Sequence, residues 1–294
     1  MSSVLYDAQG PRAKRRNVLY TVVFLLAVVA LGWWVFRALN DKGQLDWEKW
    51  KPFFSGSEAW TTYILPGLWN TLIAAFLSML IALPLGAAFG IARLSDHVWI
   101  RVPAGVLVEF FRAIPVLILM IFGLALFAQY TDVDSDARPL YAVVTGLVLY
   151  NASVLAEVVR AGILALPKGQ TEAAQAIGLR KTQIMTSILL PQAVTAMLPA
   201  IVSQLVVIVK DTALGGAVLT FPDLLAAVSP MSSYYGANTV ASFTVVALLF
   251  VLINFALTSF ASWLERRLRS RKKSTGTVLP SAAVGGTEST GTAA

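Results

Sequence analysis

Six stretches of this 294-residue chain, 17–36, 66–92, 103–129, 140–163, 191–209 and 239–264, are predominantly apolar over about 20 residues or more. The hydrocarbon core of a bilayer is about 30 Å thick and an α-helix rises about 1.5 Å per residue, so each stretch is long enough to cross. The expected fold class is therefore an all-α polytopic membrane protein with six transmembrane helices. At 57% apolar and 13% charged residues, the chain is also too greasy for a soluble domain. There is no cysteine, and His97 is the single histidine, so disulfides, thiol nucleophiles, thiolate metal sites and histidine clusters are excluded. No metal site and no cofactor is expected. The patterns H-E-x-x-H, G-x-S-x-G and G-x-x-x-x-G-K-[ST] are all missing, which argues against an enzyme. His97 sits beside Asp96 in a short polar loop and is assigned no role.

The net charge of +7 is explained by topology rather than by nucleic acid, because basic residues gather in the tails and in alternate loops. Arg12, Lys14, Arg15 and Arg16 end the tail 1–16 and precede the first apolar run, which closes on Trp33-Trp34. That run resembles a secretory signal in its basic flank, but its length and interfacial tryptophans suit a spanning helix. Basic loops at 93–101 and 168–181 fall on the inner side with both termini. The acidic loop holding Asp132, Asp134 and Asp136 falls outside. Segment 37–65 carries balanced charge and is dense in aromatics, among them Trp47, Trp50, Phe53, Phe54 and Trp60. It reads either as an external segment lying in the headgroup region or as an ordinary external loop. After the basic run Arg266 to Lys273, the Ser/Thr/Gly/Ala-rich tail 274–294 is expected to be disordered. The resulting division is a tail 1–16, an extra helix with its aromatic segment 17–65, a core 66–265 and a tail 266–294.

Charges inside the spans constrain the interior. Glu109 with Arg112, and Glu157 with Arg160, are each spaced i, i+3 and able to pair. A charge at mid-helix costs about 2.5–3.5 kcal/mol on insertion scales, so these residues must face protein or water. They are either structural glue or the lining of an inner gate. Asn151 in the fourth span and Gln204 in the fifth add uncharged polar groups. Lys210-Asp211-Thr212 followed by Gly215-Gly216 predicts a break in the fifth helix, where a cation and freed backbone dipoles could hold a carboxylate. The alternative is a snorkelling lysine at a helix end with an aspartate cap. Pro84, Gly86 and Gly90 in the second span suggest a bend and close helix contacts.

The run 171–191, TEAAQAIGLRKTQIMTSILLP, is a polar interruption between two apolar segments. The spacing predicts a first short helix opening near Glu172, rich in alanine and ended by a left-handed turn at Gly178. A second piece is expected from an N-cap at Thr182, with Ile184, Met185 and Ile188 on one face, and Pro191 opening the next span. Such a surface is either a docking knob for another protein or an amphipathic connector on lipid headgroups.

The spacing Glu172-Ala173-Ala174, three residues, Gly178, nine residues, Ile188-x-Leu190-Pro191 resembles the EAA signature loop of the membrane subunits of bacterial ATP-binding cassette (ABC) importers. Segments between Gly67 and Gly215, among them VEFFRAIPVLI, YNASVLAEVVRAGILALPKGQTEAAQAIGL and LPQAVTAMLPAIVSQLVVIVKDTALG, are similar to permeases of the polar amino acid subfamily. In that subfamily a Glu and an Arg precede a Pro in the third span, an E-x-x-R lies before the loop, and a K-D/N-T/S motif follows the fifth span. Glu109, Arg112, Pro115, Glu157, Arg160, Lys210, Asp211 and Thr212 match. Ala113-Ile114 stands where Gly-Thr is usual, and the first helix with its aromatic segment exceeds the common five-helix core. The extra helix and long tail are similar to those of actinobacterial glutamate permease subunits.

The resemblance implies a type I importer permease in a bacterial plasma membrane, with a cytoplasmic coupling loop at 164–190. Glu172, Ala173, Ala174, Gly178 and Leu179 would meet an ATPase subunit, and Asn151, Gln204, Lys210, Asp211 and Thr212 would line a substrate path. Implied partners are two ATPase subunits, an identical or related second permease, an extracytoplasmic solute-binding protein and a polar amino acid, with glutamate or a relative as cargo. A stand-alone channel or ion-coupled carrier is the alternative reading, motivated by the charges within the spans. Against a carrier, no internal inverted repeat is evident.

Overall fold

The structure, a computed structural model, describes residues 10–272, and these contain helices and no strand. The segment 1–9 and the tail 274–294, expected to be disordered, lie outside the described residues. In chain order the helices are α1 Pro11–Asp41, α2 Trp47–Phe54, α3 Leu65–Ala92, α4 Val98–Ala113, α5 Val116–Tyr130, α6 Arg138–Leu164, α7 Lys168–Ala176, α8 Lys181–Ile184, α9 Leu190–Val218, α10 Val228–Tyr234 and α11 Thr239–Lys272. Five helical runs are long and apolar enough to cross a membrane, and α4 with α5 forms a sixth candidate as a bent pair.

Two expected spans are built differently. The third, expected as one helix over 103–129, is two helices meeting at 99°. Proline clashes with a helical residue before it, and Ile114 is accordingly extended, at φ −90° and ψ 130°, so Pro115 ends α4 rather than bending it. The fifth does not open at Pro191 or break at Lys210. Lys181–Val218 is one 38-residue helical run, with a π turn at Met185–Leu189 absorbing the approach to Pro191. Gly215 and Gly216 lie inside it. A β-carbon at Gly215 would sit 2.3 Å from Val143 Cγ2, and one at Gly216 only 1.8 Å from Asp223 Oδ1. These glycines mark close approach, not a helix stop.

The described residues divide into two compact units, 10–79 with 115–148 and 208–252, and 80–114 with 149–207 and 253–272. Within the second unit, Gly86 and Gly90 of α3 let α6 come close. A β-carbon at Gly86 would be 2.6 Å from Leu155 Cβ, and one at Gly90 2.6 Å from the Ala156 carbonyl. This small-residue packing is the usual means of holding helices where lipid supplies no hydrophobic drive between them. Within the first unit, Gly146 of α6 receives Met120 of α5 in the same way.

The aromatic segment 37–65 is neither an unstructured loop nor wholly a lipid-facing strip. α2 buries Phe53 and leaves Trp47 and Phe54 exposed, with their rings stacked 5.6 Å apart. Its polar edge is tied to the turn before α11. Lys49 Nζ donates to the Gly236 carbonyl, Asn238 Nδ2 to the Lys49 carbonyl at 3.1 Å, and Gln44 Nε2 to the Ala237 carbonyl at 3.1 Å. The Tyr234 and Tyr235 hydroxyls both donate to the Glu58 carboxylate, at 3.1 and 3.3 Å.

Candidate functional site

The polar interruption folds as two short helices around one tight turn. α7 begins at Lys168 behind Pro167, so Glu172 lies in its middle rather than at the helix start that its sequence position suggested. Proline at the N-cap fixes an extended entry, and this local signal outranks the carboxylate's preference for a first turn. The helix ends as expected at Gly178, which holds φ +81°. The Leu179 N–H reaches the Ala174 carbonyl at 3.1 Å and the Gly178 N–H reaches Gln175 at 2.9 Å, the Schellman arrangement. α8 is capped by Arg180, not Thr182: the Arg180 N–H donates to Gln183 Oε1 at 2.9 Å.

Ala174 is buried while Glu172, Ala173, Ala176 and Ile177 are exposed, Ile177 at 76%. Underneath, Ala174, Ile184, Leu189, Ala193 and Met197 form one apolar cluster with Val159 and Ile163 of α6, and Leu179, Met185 and Ile188 pack against it. A small residue thus seats α7, and an alanine-lined face with one carboxylate is left free. Two contacts that the sequence reading missed brace it. Gln170 and Gln192 exchange amide hydrogen bonds at 3.0 and 2.8 Å. Lys181 Nζ donates to the Leu94 carbonyl at 3.2 Å and to the Asp96 carboxylate, whose pKa is lowered chiefly by that bond.

The charges of the third and fourth spans form one cluster. Arg112 Nη1 lies 3.5 Å from Glu109 Oε1, and Arg160 Nε donates to Glu157 Oε2 at 3.0 Å. Arg93, absent from the expected set, joins the two pairs: its Nη1 meets Glu157 and its Nη2 meets Glu109, each at 3.0 Å. The signal in the sequence was a lone arginine at the end of an apolar run, indistinguishable there from a positive-inside residue.

Of the expected path residues, Asn151 and Gln204 belong to the second unit and are brought together, with Gln204 Nε2 donating to Asn151 Oδ1. Asn151 is fully buried. Lys210, Asp211 and Thr212 belong to the first unit, on consecutive positions of α9. Thr212 is buried and turned onto its own helix, with Oγ1 donating to the Val209 carbonyl at 2.8 Å. Lys210 borders an apolar cavity of about 300 Å³ with Ala213, Leu225, Phe243, Val246 and Phe250.

The structure adds Asp223, which the sequence reading passed over. It lies in the irregular stretch between α9 and α10 and is fully buried. Its Oδ1 accepts the Ala226 N–H at 2.7 Å, and Oδ2 has no hydrogen-bond partner. Burial pushes its pKa up to about 6, against backbone N–H groups that pull it down. The stretch is pinned to α3: Asn70 Nδ2 donates to the Pro222 carbonyl at 2.8 Å, and Thr71 Oγ1 accepts the Leu224 N–H at 3.0 Å. Only its place after two glycines could have drawn attention to it.

Several helical runs long and apolar enough to cross a membrane, with basic residues in alternate loops, give this chain the form of a membrane permease. Residues 82–270 match the model of the family described as binding-protein-dependent transport system inner membrane component, and the chain belongs to that family. It is 50% identical over 232 residues to the glutamate transport system permease protein of Corynebacterium glutamicum, covering 79% of this chain and 84% of that one. It is 33% identical over 210 residues to the glutamate/glutamine/aspartate/asparagine transport system permease protein of Rhodobacter capsulatus, covering 69% of this chain and 47% of that one. Among solved structures, an amino acid ABC transporter crystallised with histidines matches with a TM-score of 0.62 at 26% identity, over 71% of this chain and 95% of the other.

Proposed function

We propose that this permease subunit of an amino-acid ABC importer carries glutamate or a related acidic or amide amino acid into the cell, driven through α7 by separate ATPase subunits. The observation that carries the coupling role is the exposed face of α7, seated by buried Ala174 and closed by the Gly178 turn. The cargo rests on the 50% identity to a glutamate permease. Of the five coupling residues, Glu172, Ala173 and Gly178 present the contact while Ala174 and Leu179 seat it from below, and the chain, which contains no phosphate-binding loop, leaves ATP hydrolysis to its partner. ATP can drive the change of access only if the ATPase pair binds the two states of the permease with different affinity, and α7 is where that difference acts.

The assembly pairs this chain with an identical or related permease, two ATPases on the side of both termini, and a solute-binding protein on the other. For the substrate path the second unit offers Asn151 with Gln204, and the first unit, by itself, offers Lys210 with Asp211 and Thr212, Lys210 being the cation for a substrate carboxylate. Glu172→Lys in the importer reconstituted from its native membrane should lower labelled-glutamate uptake at least tenfold with the protein still inserted. Normal uptake by that variant refutes the coupling role, and uptake by the purified chain without any ATPase supports a stand-alone carrier instead.

A further inference from the structure

Arg93 is the first residue beyond α3, and its side chain is only 15% exposed. Its two terminal nitrogens serve different helices: Nη2 holds Glu109 of α4 and Nη1 holds Glu157 of α6, each at 3.0 Å. A guanidinium presents several donors in a rigid plane, so one arginine can bridge two carboxylates where a lysine ammonium cannot match the geometry. Each carboxylate also has a cation of its own three residues on, Arg112 for Glu109 and Arg160 for Glu157. A buried charge stripped of its only partner is strongly destabilising. Here either arm of the Arg93 bridge can open without stranding a carboxylate, because the own-helix arginine remains. The link between helices is exchangeable, whereas the links within each helix are not required to move.

The same turn also holds the coupling segment. Leu94 gives its carbonyl, and Asp96 its carboxylate, to the Nζ of Lys181, the first residue of α8, which follows directly on the Gly178 turn. Residues 93–96 therefore grip α4 and α6 through one side chain, and the coupling segment through the next positions. We propose that Arg93 is a positioning residue of the transport cycle: it links the α7–α8 segment to α4 and α6 through an ion bridge that opens and re-forms as access changes. The inference rests on the coupling role of α7, and it separates the two uses of these charges, with the own-helix pairs as glue and the Arg93 arms as the moving link. A demonstrated energetic coupling, rather than spatial continuity, is what establishes such a relay.

The test uses the whole importer, purified with its ATPase and binding protein and placed in proteoliposomes, with labelled glutamate and phosphate release measured together. Arg93→Ala should raise the ATP hydrolysed per glutamate moved about tenfold, with the complex intact by size-exclusion chromatography. Glu109→Gln, a change at a carboxylate that is 58% exposed, should raise the ratio about threefold. The double variant should match Arg93→Ala alone, since both changes cut the same bridge. Arg93→Lys should recover only part of the loss. A ratio unchanged in both single variants, or effects that multiply in the double variant, overturns the inference. Proportional loss of hydrolysis and uptake, the signature of a merely structural residue, overturns it too. If Glu172→Lys loses uptake while the Arg93 ratio is normal, the Arg93 inference alone falls. If Glu172→Lys transports normally, the coupling reading falls and takes this inference with it.

Discussion

Both compact units pack helices through glycine clefts, at Gly86 and Gly90 in one and at Gly146 and Gly216 in the other, but among the described residues only one adds ion bridges between its helices. In the unit containing α4, α7 and α8, helices are joined by long charged side chains: Arg93 to Glu109 and Glu157, and Lys181 to Asp96. In the unit containing α2, α5 and α10, the joints are glycine clefts, hydrogen bonds to backbone and the two tyrosine hydroxyls on Glu58, and among the described residues its one buried carboxyl, Asp223, has no cation on it. Side-chain ion bridges have reach and several near-equivalent partners, so they tolerate rearrangement. A cleft fitted to a missing β-carbon has a single satisfactory packing. The unit holding α7 thus has both kinds of joint, clefts at Gly86 and Gly90 and ion bridges at Arg93 and Lys181.

The sharpest way to break that comparison is to fill a cleft. Gly216→Leu drives a side chain into the Asp223 carboxyl, whose backbone is itself held against Gly67, where a β-carbon would lie 2.8 Å from the Asp223 carbonyl. It should destabilise the protein by about 3 kcal/mol or more. Thermal unfolding in detergent would show this as a large loss of midpoint, and an unchanged midpoint would mean the cleft is loose.

A smaller effect comes from Asp223 itself. Its pKa, raised to about 6 by burial, exceeds that of the unfolded chain, near 3.9. The folded state therefore binds this proton more tightly, and stability from this group falls as pH rises from about 4 through about 6 and is flat above. The difference between wild type and Asp223→Asn should follow that slope, amounting to about 2 kcal/mol across the window. Midpoints of the two proteins that run parallel from pH 4.5 to 8 would show that the carboxyl is not held neutral. Least of all, Gln170→Ala should cost about 1 kcal/mol, the value of a hydrogen bond between amides, and leave insertion intact. A cost several times larger would mean that the charged region is as tightly fitted as the other.

Much of the chain was legible because lipid simplifies the rules. Length and apolarity alone located six apolar stretches, five of them within helical runs long enough to cross and the sixth in a bent pair. Gly178 was readable as a left-handed terminus because few other residues adopt that conformation. The misreadings share a cause. Gly215-Gly216 and Pro115 are breakers by propensity, yet the first pair is spent on contact with Val143 and Asp223, and the second ends a helix that apolarity alone would continue. Glu172 was placed at a helix start because nothing in the sequence told Pro167 from a loop proline.

By itself the sequence determined that this chain is a multi-span helical membrane protein with a polar elbow at 171–191, since those features follow from local composition and spacing. Only the tertiary structure decided that Arg93 joins two helices, that Asp223 is sealed beneath Gly216, and that α2 is tied to the turn at 236–238. Each of these joins residues far apart in sequence, and which distant side chains meet is set by how the helices pack, for which a single sequence carries no local signal.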